Sequence, residues 1–289
     1  MKQLCKWTVC AALAAALAVC GSTAFAGQHV PVAPNDKTPV LGSVQGKSLS
    51  VAVYSDGSYS IASPGILGIV VRSDVEADVD SHVLRSSAYP QHHTVQSKFK
   101  DEFGSGTKLV VTHTGLSDTP DLVCTLRLYK DQSWGDIEVK VVNSTGRTTY
   151  VQAIRSFHAT DAPVISLNGP ASADRILSDS YSEDRPQLAI RDLGAAPEGM
   201  HRAVGSQLIY NRQSGESIFL GALTSDRLLT IFHLKEQSSG SGAQILSFEA
   251  VATGTTEIMK GESLKESPSS EQVELSISVK PAMVFRQSG

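Results

Sequence analysis

Val273, Leu275, Ile277 and Val279 are apolar, and Glu274, Ser276 and Ser278 between them are polar. A helix would scatter such a set around its circumference, whereas an extended strand puts all four apolar side chains on one face. The same period of two recurs. Ile137, Val139 and Val141 alternate with Glu138 and Lys140; Leu122, Cys124, Leu126 and Leu128 alternate with Thr125 and Arg127; Leu246, Phe248 and Ala250 alternate with Ser247 and Glu249. Each run is expected to be a strand with one buried face and one wet face. Burying one large apolar side chain contributes about 1.5–3 kcal/mol, so a charge at Ile277 is expected to be costly and one at Ser278 is not. Turn signals separate the runs: Asp56-Gly57, Ser105-Gly106, Asn143 to Gly146, Gln213-Ser214-Gly215 and Ser238 to Gly242. With no helical stripe between them, the expected fold is all-β, a large antiparallel two-layer sandwich over residues 41–282 followed by a short tail over 283–289. Two smaller sandwiches broken near Ala159 to Pro170 are the alternative.

The N-terminus reads as an export signal. Lys2 and Lys6 precede a short apolar core from Ala11 to Val19, and Ala24-Phe25-Ala26 is a small-x-small cleavage site. Residues 1–26 are the expected signal peptide and residues 27–40 a polar, proline-containing lead-in. Leu17-Ala18-Val19-Cys20 is a loose lipobox, so a lipid-anchored product stands as the rival to soluble export to the periplasm or exterior. No later stretch is long and apolar enough to be a transmembrane anchor. Cys5, Cys10 and Cys20 fall inside the signal, which leaves Cys124 alone, with no internal disulfide to form and a buried, unreactive place in its strand. Of 25 basic residues 23 remain without Lys2 and Lys6, against 29 acidic ones, a net of −6 that argues against a nucleic-acid partner.

Three segments hold side chains suited to chemistry. Ser178 to Pro186 gathers Asp179, Glu183 and Asp184 beside Tyr181 and Arg185. Clustered oxygens suit calcium, carboxylates with an arginine suit sugar hydroxyls, and two carboxylates suit a glycosidase pair; a solvated loop with its own ion pairs is the bland reading. A neighbouring Arg185 would keep the carboxylates ionised, which counts against a general acid. Gly199 to Asn211 brings together His201, Arg202, Gln207 and Asn211, either lining a sugar or domain contact or entering a strand with Gly205 as the bend. Trp134, in the loop Asp131 to Gly135, is the one tryptophan besides Trp7. It is a stacking platform for a sugar ring or an interface anchor, or else it folds back over its own hairpin. The eight histidines are scattered, and His92 and His93, adjacent on a strand, would point to opposite faces. No metal-ligand spacing, nucleophile elbow or phosphate loop is present, so no metal or cofactor is expected.

From about Leu41 to Pro281 the chain resembles the N-terminal β-sandwich domain that precedes the catalytic barrel in α-galactosidase-like proteins of glycoside hydrolase family 36. The residues behind this are Phe103 to Leu109, the pattern Leu126-Arg127-Leu128-Tyr129, Ser178 to Pro186, His201 to Asn211 and Gly221 to Asp226. The resemblance implies a β-supersandwich like that of galactose mutarotase and carbohydrate-binding folds, which packs on the barrel and helps shape a galactoside site. The family's catalytic aspartates lie on the barrel, in motifs such as Lys-x-Asp, and no barrel sequence is found here, so no catalytic residue carries over. The expected role is a non-catalytic module of an exported α-galactosidase-like hydrolase, with Trp134, Asp179, Tyr181, Glu183, Asp184, Arg185, His201, Arg202, Gln207 and Asn211 as carbohydrate or domain-interface residues. A stand-alone carbohydrate-binding protein is the alternative. A mutarotase-like epimerase would need a carboxylate base and a histidine acid, for which Glu183 or Asp184 with His201 are the candidates. A structural envelope or adhesion role is also open.

Overall fold

The computed structural model describes residues 38–63, 69–161, 163–180, 187–195, 198–223, 229–239, 242–258 and 273–281. At 69, 179–180, 187–189, 198, 239, 255–258 and 273–281 it describes the backbone only. The strands of the first half are β1 (Val40–Gln45), β2 (Ser50–Tyr54), β3 (Tyr59–Ala62), β4 (Ile69–Val79), β5 (His82–Arg85), β6 (Gln91–Asp101), β7 (Gly104–Thr114), β8 (Asp121–Tyr129) and β9 (Trp134–Val142). Those of the second are β10 (Thr149–Ala159), β11 (Asp174–Ser180), β12 (Gln187–Asp192), β13 (Glu198–Val204), β14 (Ser206–Asn211), β15 (Glu216–Ala222), β16 (Leu229–Ser239), β17 (Gly242–Ile258) and β18 (Val273–Pro281). They form two nine-stranded sheets. Sheet 1 runs β1-β2-β3-β4-β10-β17-β16-β13, with β5 beside β4; sheet 2 runs β12-β11-β14-β15-β18-β9-β8-β7-β6. Every described pairing is antiparallel.

Both halves of the chain contribute to both sheets. The segment between β10 and β11, where a break between two sandwiches was the alternative, carries Val164, Ile165 and Leu167 into one shared core. The all-β antiparallel sandwich expected from the alternation is therefore the fold. Cys124, Leu126 and Leu128 of β8 face Val51, Val53, Ile61 and Val75 of sheet 1 across a layer with almost no empty space. Further along, Phe157 and Phe248 meet edge to face at 5.3 Å, and Tyr59 adds a hydroxyl bond to the Ser156 carbonyl at 2.8 Å. Cys124 is free and buried, and burial drives its thiol pKa up, so it serves as a small apolar side chain.

Two local departures have clear causes. In β17 the inward position goes to Ile245, not Leu246. A bulge sets Lys235 opposite Ser247 and Glu236 opposite Ile245, so Leu246 is the extra residue and the face parity flips there. The run from Gly199 to Asn211 is two strands in different sheets. Gly205, with φ of +87°, makes the corner between β13 and β14; its N–H donates to the Thr230 carbonyl and its carbonyl accepts from the Ala222 N–H.

Candidate functional site

Position 134 opens β9, just before Gly135, which pairs with Leu128 at the end of β8. The residues of β8 and β9 that point away from the core begin with Tyr129 and Trp134 and continue with Arg127 and Asp136, then Thr125 and Glu138. Their aromatic rings form a row. Trp134 lies 4.5 Å from Tyr129 at a tilt of 38°, Phe103 meets Trp134 at 5.6 Å, and Phe99 meets Tyr129 at 5.1 Å. Gly106 separates Phe99 from Tyr129. A methyl group there would sit 2.1 Å from the Leu128 carbonyl oxygen and 2.9 Å from the Phe99 ring, so a side chain would break the row. Trp134 thus does fold over its own hairpin, and it also stays partly exposed beside Phe103, which is 48% exposed.

Polar groups hold this row from one side. Asp101 uses Oδ1 to accept the N–H groups of Phe103 and Gly104, which shapes the β6–β7 turn, and Oδ2 to accept the Tyr129 hydroxyl at 2.9 Å. The same hydroxyl lies 3.1 Å from Asp136 Oδ2. The Tyr129 hydroxyl thus bridges the Asp101 and Asp136 carboxyl groups. Burial raises the Asp136 pKa in spite of Arg127, whose Nη1 donates to it at 2.6 Å. Glu138 is the opposite case. Burial pushes it up, but Lys140 and Arg127 outweigh burial, and its pKa is lowered. Glu138 was expected on a wet face; instead it and Asp136 are only 1% and 3% exposed, because Arg127 and Lys140 pair with them there.

Beside the row opens a trough of about 600 Å³. It lies where the β1–β2 turn of sheet 1 approaches β6, β7 and the end of β8. Its lining includes Lys47, Lys98, Phe99, Thr107 and Lys130. Phe99 belongs to both the row and the trough. Sequence reasoning singled out Trp134 but missed Tyr129, Phe99 and the lysines, which lie on three separate segments with no shared local pattern.

The other expected site residues lie elsewhere. His201 is buried on β13, and its Nε2 lies 2.8 Å from Oε1 of Glu236, whose Oε2 accepts the Gly194 N–H. Arg202 is exposed and stands opposite His233. Gln207 points into the interior and donates to Ser178 Oγ at 3.2 Å. Asn211 is fully buried; its Nδ2 donates to Asp174 and the Pro170 carbonyl, and its Oδ1 accepts from Gln213 and Ser214, which locks that turn. Asp179 is placed by its backbone in β11, opposite Leu188. Tyr181, Glu183, Asp184 and Arg185 lie outside the described residues. His201 and Trp134 sit in different sheets. His92 and His93 do diverge: His92 meets the buried His113 at 2.9 Å and His93 is exposed.

A second polar cluster covers the outside of sheet 1. Glu76 takes Arg85 at 2.5 Å and His158 at 3.1 Å; Arg155 joins Asp78 at 2.8 Å to Glu249 at 3.2 Å, and Glu249 takes His233 at 2.9 Å. Its acids and bases satisfy one another. Among the described residues no group of three or more His, Cys, Asp or Glu side chains is placed to hold a metal, and no helix is long and apolar enough to cross a membrane.

No family model matches the sequence, and no curated protein does. The fold has solved counterparts. An α-galactosidase from Lactobacillus brevis matches with a TM-score of 0.50 at 10% identity, over 87% of this chain and 40% of its own. A GH36 α-galactosidase, AgaA, from Geobacillus stearothermophilus, solved in complex with stachyose, matches at 0.52 and 9% identity, over 83% and 40%. The α-N-acetylgalactosaminidase NagBb from Bifidobacterium bifidum matches at 0.52 and 7%, over 83% and 36%. This chain spans about two fifths of the length of those enzymes. In fold, then, it is similar to one part of the GH36 α-galactosidases, as its residues suggested.

Proposed function

We propose that the chain is an exported, non-catalytic β-sandwich module that binds or presents carbohydrate of the galactoside type. The observation that carries this reading is the row Phe103, Trp134, Tyr129 and Phe99, in which a buried Tyr129 backs the partly exposed Trp134, Phe103 and Phe99 beside an open trough. Aromatic faces bind the apolar face of a sugar ring, while flanking hydroxyl, amide and charged groups hydrogen-bond its edge. Two points support it: solved proteins of similar fold include α-galactosidases, one of them in complex with stachyose, and residues 1–26 have the form of a signal peptide. The resemblance to family 36 implies a catalytic barrel as the partner of such a module, and the sandwich would then support its sugar site.

The test is a calorimetric titration of the purified chain with stachyose, followed in parallel by tryptophan fluorescence. We expect saturable heat and a fluorescence shift, with the heat lost in Trp134→Ala while the circular dichroism spectrum stays unchanged. A flat titration would return Trp134 to a purely structural role. Release of galactose by the purified chain would overturn the non-catalytic part.

One observation favours a second reading. The pairs His158–Glu76 and His233–Glu249 put histidine and carboxylate side by side on the outer face of sheet 1, the combination that epimerase chemistry at a sugar carbon needs. Nuclear magnetic resonance of α-galactose with added protein decides it: anomer exchange faster than in buffer, and slowed by His158→Ala, would replace the binding role with a mutarotase-like one.

A further inference from the structure

The trough beside the aromatic row has a charge that the rest of the chain does not. The protein has 29 acidic and 25 basic residues. The trough is lined by Gln45, Gly46, Lys47, Lys98, Phe99, Ser105, Gly106, Thr107, Leu128 and Lys130, with no carboxylate among them. The three lysines come from three places, the β1–β2 turn, β6 and the residue after β8, so the fold and not a basic run brings them together. Lys98 is steadied by a bond from Nζ to Thr107 Oγ1 at 2.9 Å, a neutral partner that leaves its charge uncompensated. Nearby, Lys140 and Arg127 are both tied to Glu138. Among the described residues the trough lysines have no such ion pair. Cations gathered in a concave site without counter-charge favour an anionic ligand. The hydroxyls of Ser105 and Thr107 and the amide of Gln45 add groups that fit sugar hydroxyls, and the volume is that of a small-ligand pocket.

We propose that the trough binds the acidic groups of an anionic saccharide, with Lys47, Lys98 and Lys130 holding its carboxylate or sulfate groups and the adjoining row taking a sugar ring. This rests on the carbohydrate-binding reading above and narrows it to a charged class. Lysine presents a compact point charge and not a planar fork, so a uronate and a sulfate ester are both within its chemistry.

The experiment is calorimetry of the whole chain with three probes: an oligogalacturonide, the same oligomer after methyl esterification, and a sulfated galactan oligosaccharide of similar length. Esterification removes charge and leaves the ring. We expect at least one charged probe to bind more tightly than the ester, with the gap shrinking as salt rises. Each Lys→Gln change should weaken the charged probe roughly two- to five-fold and leave the ester unaffected. These lysines are exposed, so the triple variant K47Q/K98Q/K130Q should fold, which its thermal midpoint checks. The stronger of the two charged probes identifies uronate or sulfate. Equal binding of charged and esterified oligomers overturns the anionic class and leaves the carbohydrate reading standing. Binding by the triple variant equal to that of the parent overturns the role of the lysines. No heat with any saccharide, stachyose included, overturns both.

Discussion

Arg127 faces two carboxylates that water barely reaches, and it leaves them in different states: Asp136 raised by burial, Glu138 lowered by Lys140 and Arg127 against burial. Removing one partner of a buried ion pair leaves the others uncompensated, at about 3 kcal/mol. Arg127→Ala should cost about that much in urea unfolding at neutral pH. Glu138 has a depressed pKa, so its stabilisation is present above the ordinary carboxylate range and fades as the pH falls through the folded value. The gap between Arg127→Ala and the parent should therefore narrow in acid. Asp174 has the opposite sign. Burial raises its carboxyl to about 6, with Asn211 opposing. Between about pH 4 and 6 the folded chain holds a proton there that the unfolded chain has lost, so this group favours folding below that window and loses about 3 kcal/mol as pH rises through it. Asp174→Asn should flatten that part of the stability–pH curve. At this scale the sequence was legible where a residue obeyed its strand: Cys124, Ile137 and Val139 are buried as the alternation requires. It misled at Glu138, because whether a polar side chain stays wet depends on partners that other strands supply.

Two glycines in different parts of the fold separate strain from space. Gly205 turns the chain from one sheet to the other at a positive φ with nothing within 4 Å of an added methyl group. Its replacement by alanine should cost only the left-handed backbone term, about 1–2 kcal/mol. Gly106 has no such φ, but its added methyl group would strike a carbonyl of β8. Gly106→Ala should cost about 3 kcal/mol, as other overpacked sites do, and should also abolish the Trp134 fluorescence response by parting Phe99 from Tyr129. Gly146→Ala, with open space around it, is the control and should match the parent in the same melts. The elements themselves were readable because turn residues and alternation are local. The bulge at Leu246 was not, since it exists only in the pairing of β17 with β16.

Across the whole molecule, the strand order was the least legible property. β10 pairs with β4 and with β17, partners separated from it by dozens of residues or more, and no local pattern records that choice. The consequence is mechanical sharing. Sheet 2 is divided by β18, which joins β15 to β9 and so joins the two halves of the chain. Truncation after Ile258 should split that sheet into two four-stranded parts with two unpaired edges, and size-exclusion chromatography should show aggregates where the full chain runs as one species. The full chain should melt in a single transition by fluorescence and circular dichroism alike.

β18 also sets a clock. Synthesis delivers residues 273–281 after every other described strand, and until they arrive the slot between β9 and β15 stands open on both sides. Completing the sheet is then one late capture over a long stretch of chain, the slow kind of step in β-rich folding. A molecule waiting at that stage offers its slot to any copy of the same strand. At high concentration during refolding, the natural error for this protein is an exchange of β18 between neighbours, giving dimers whose sheets are locally identical to that of the monomer.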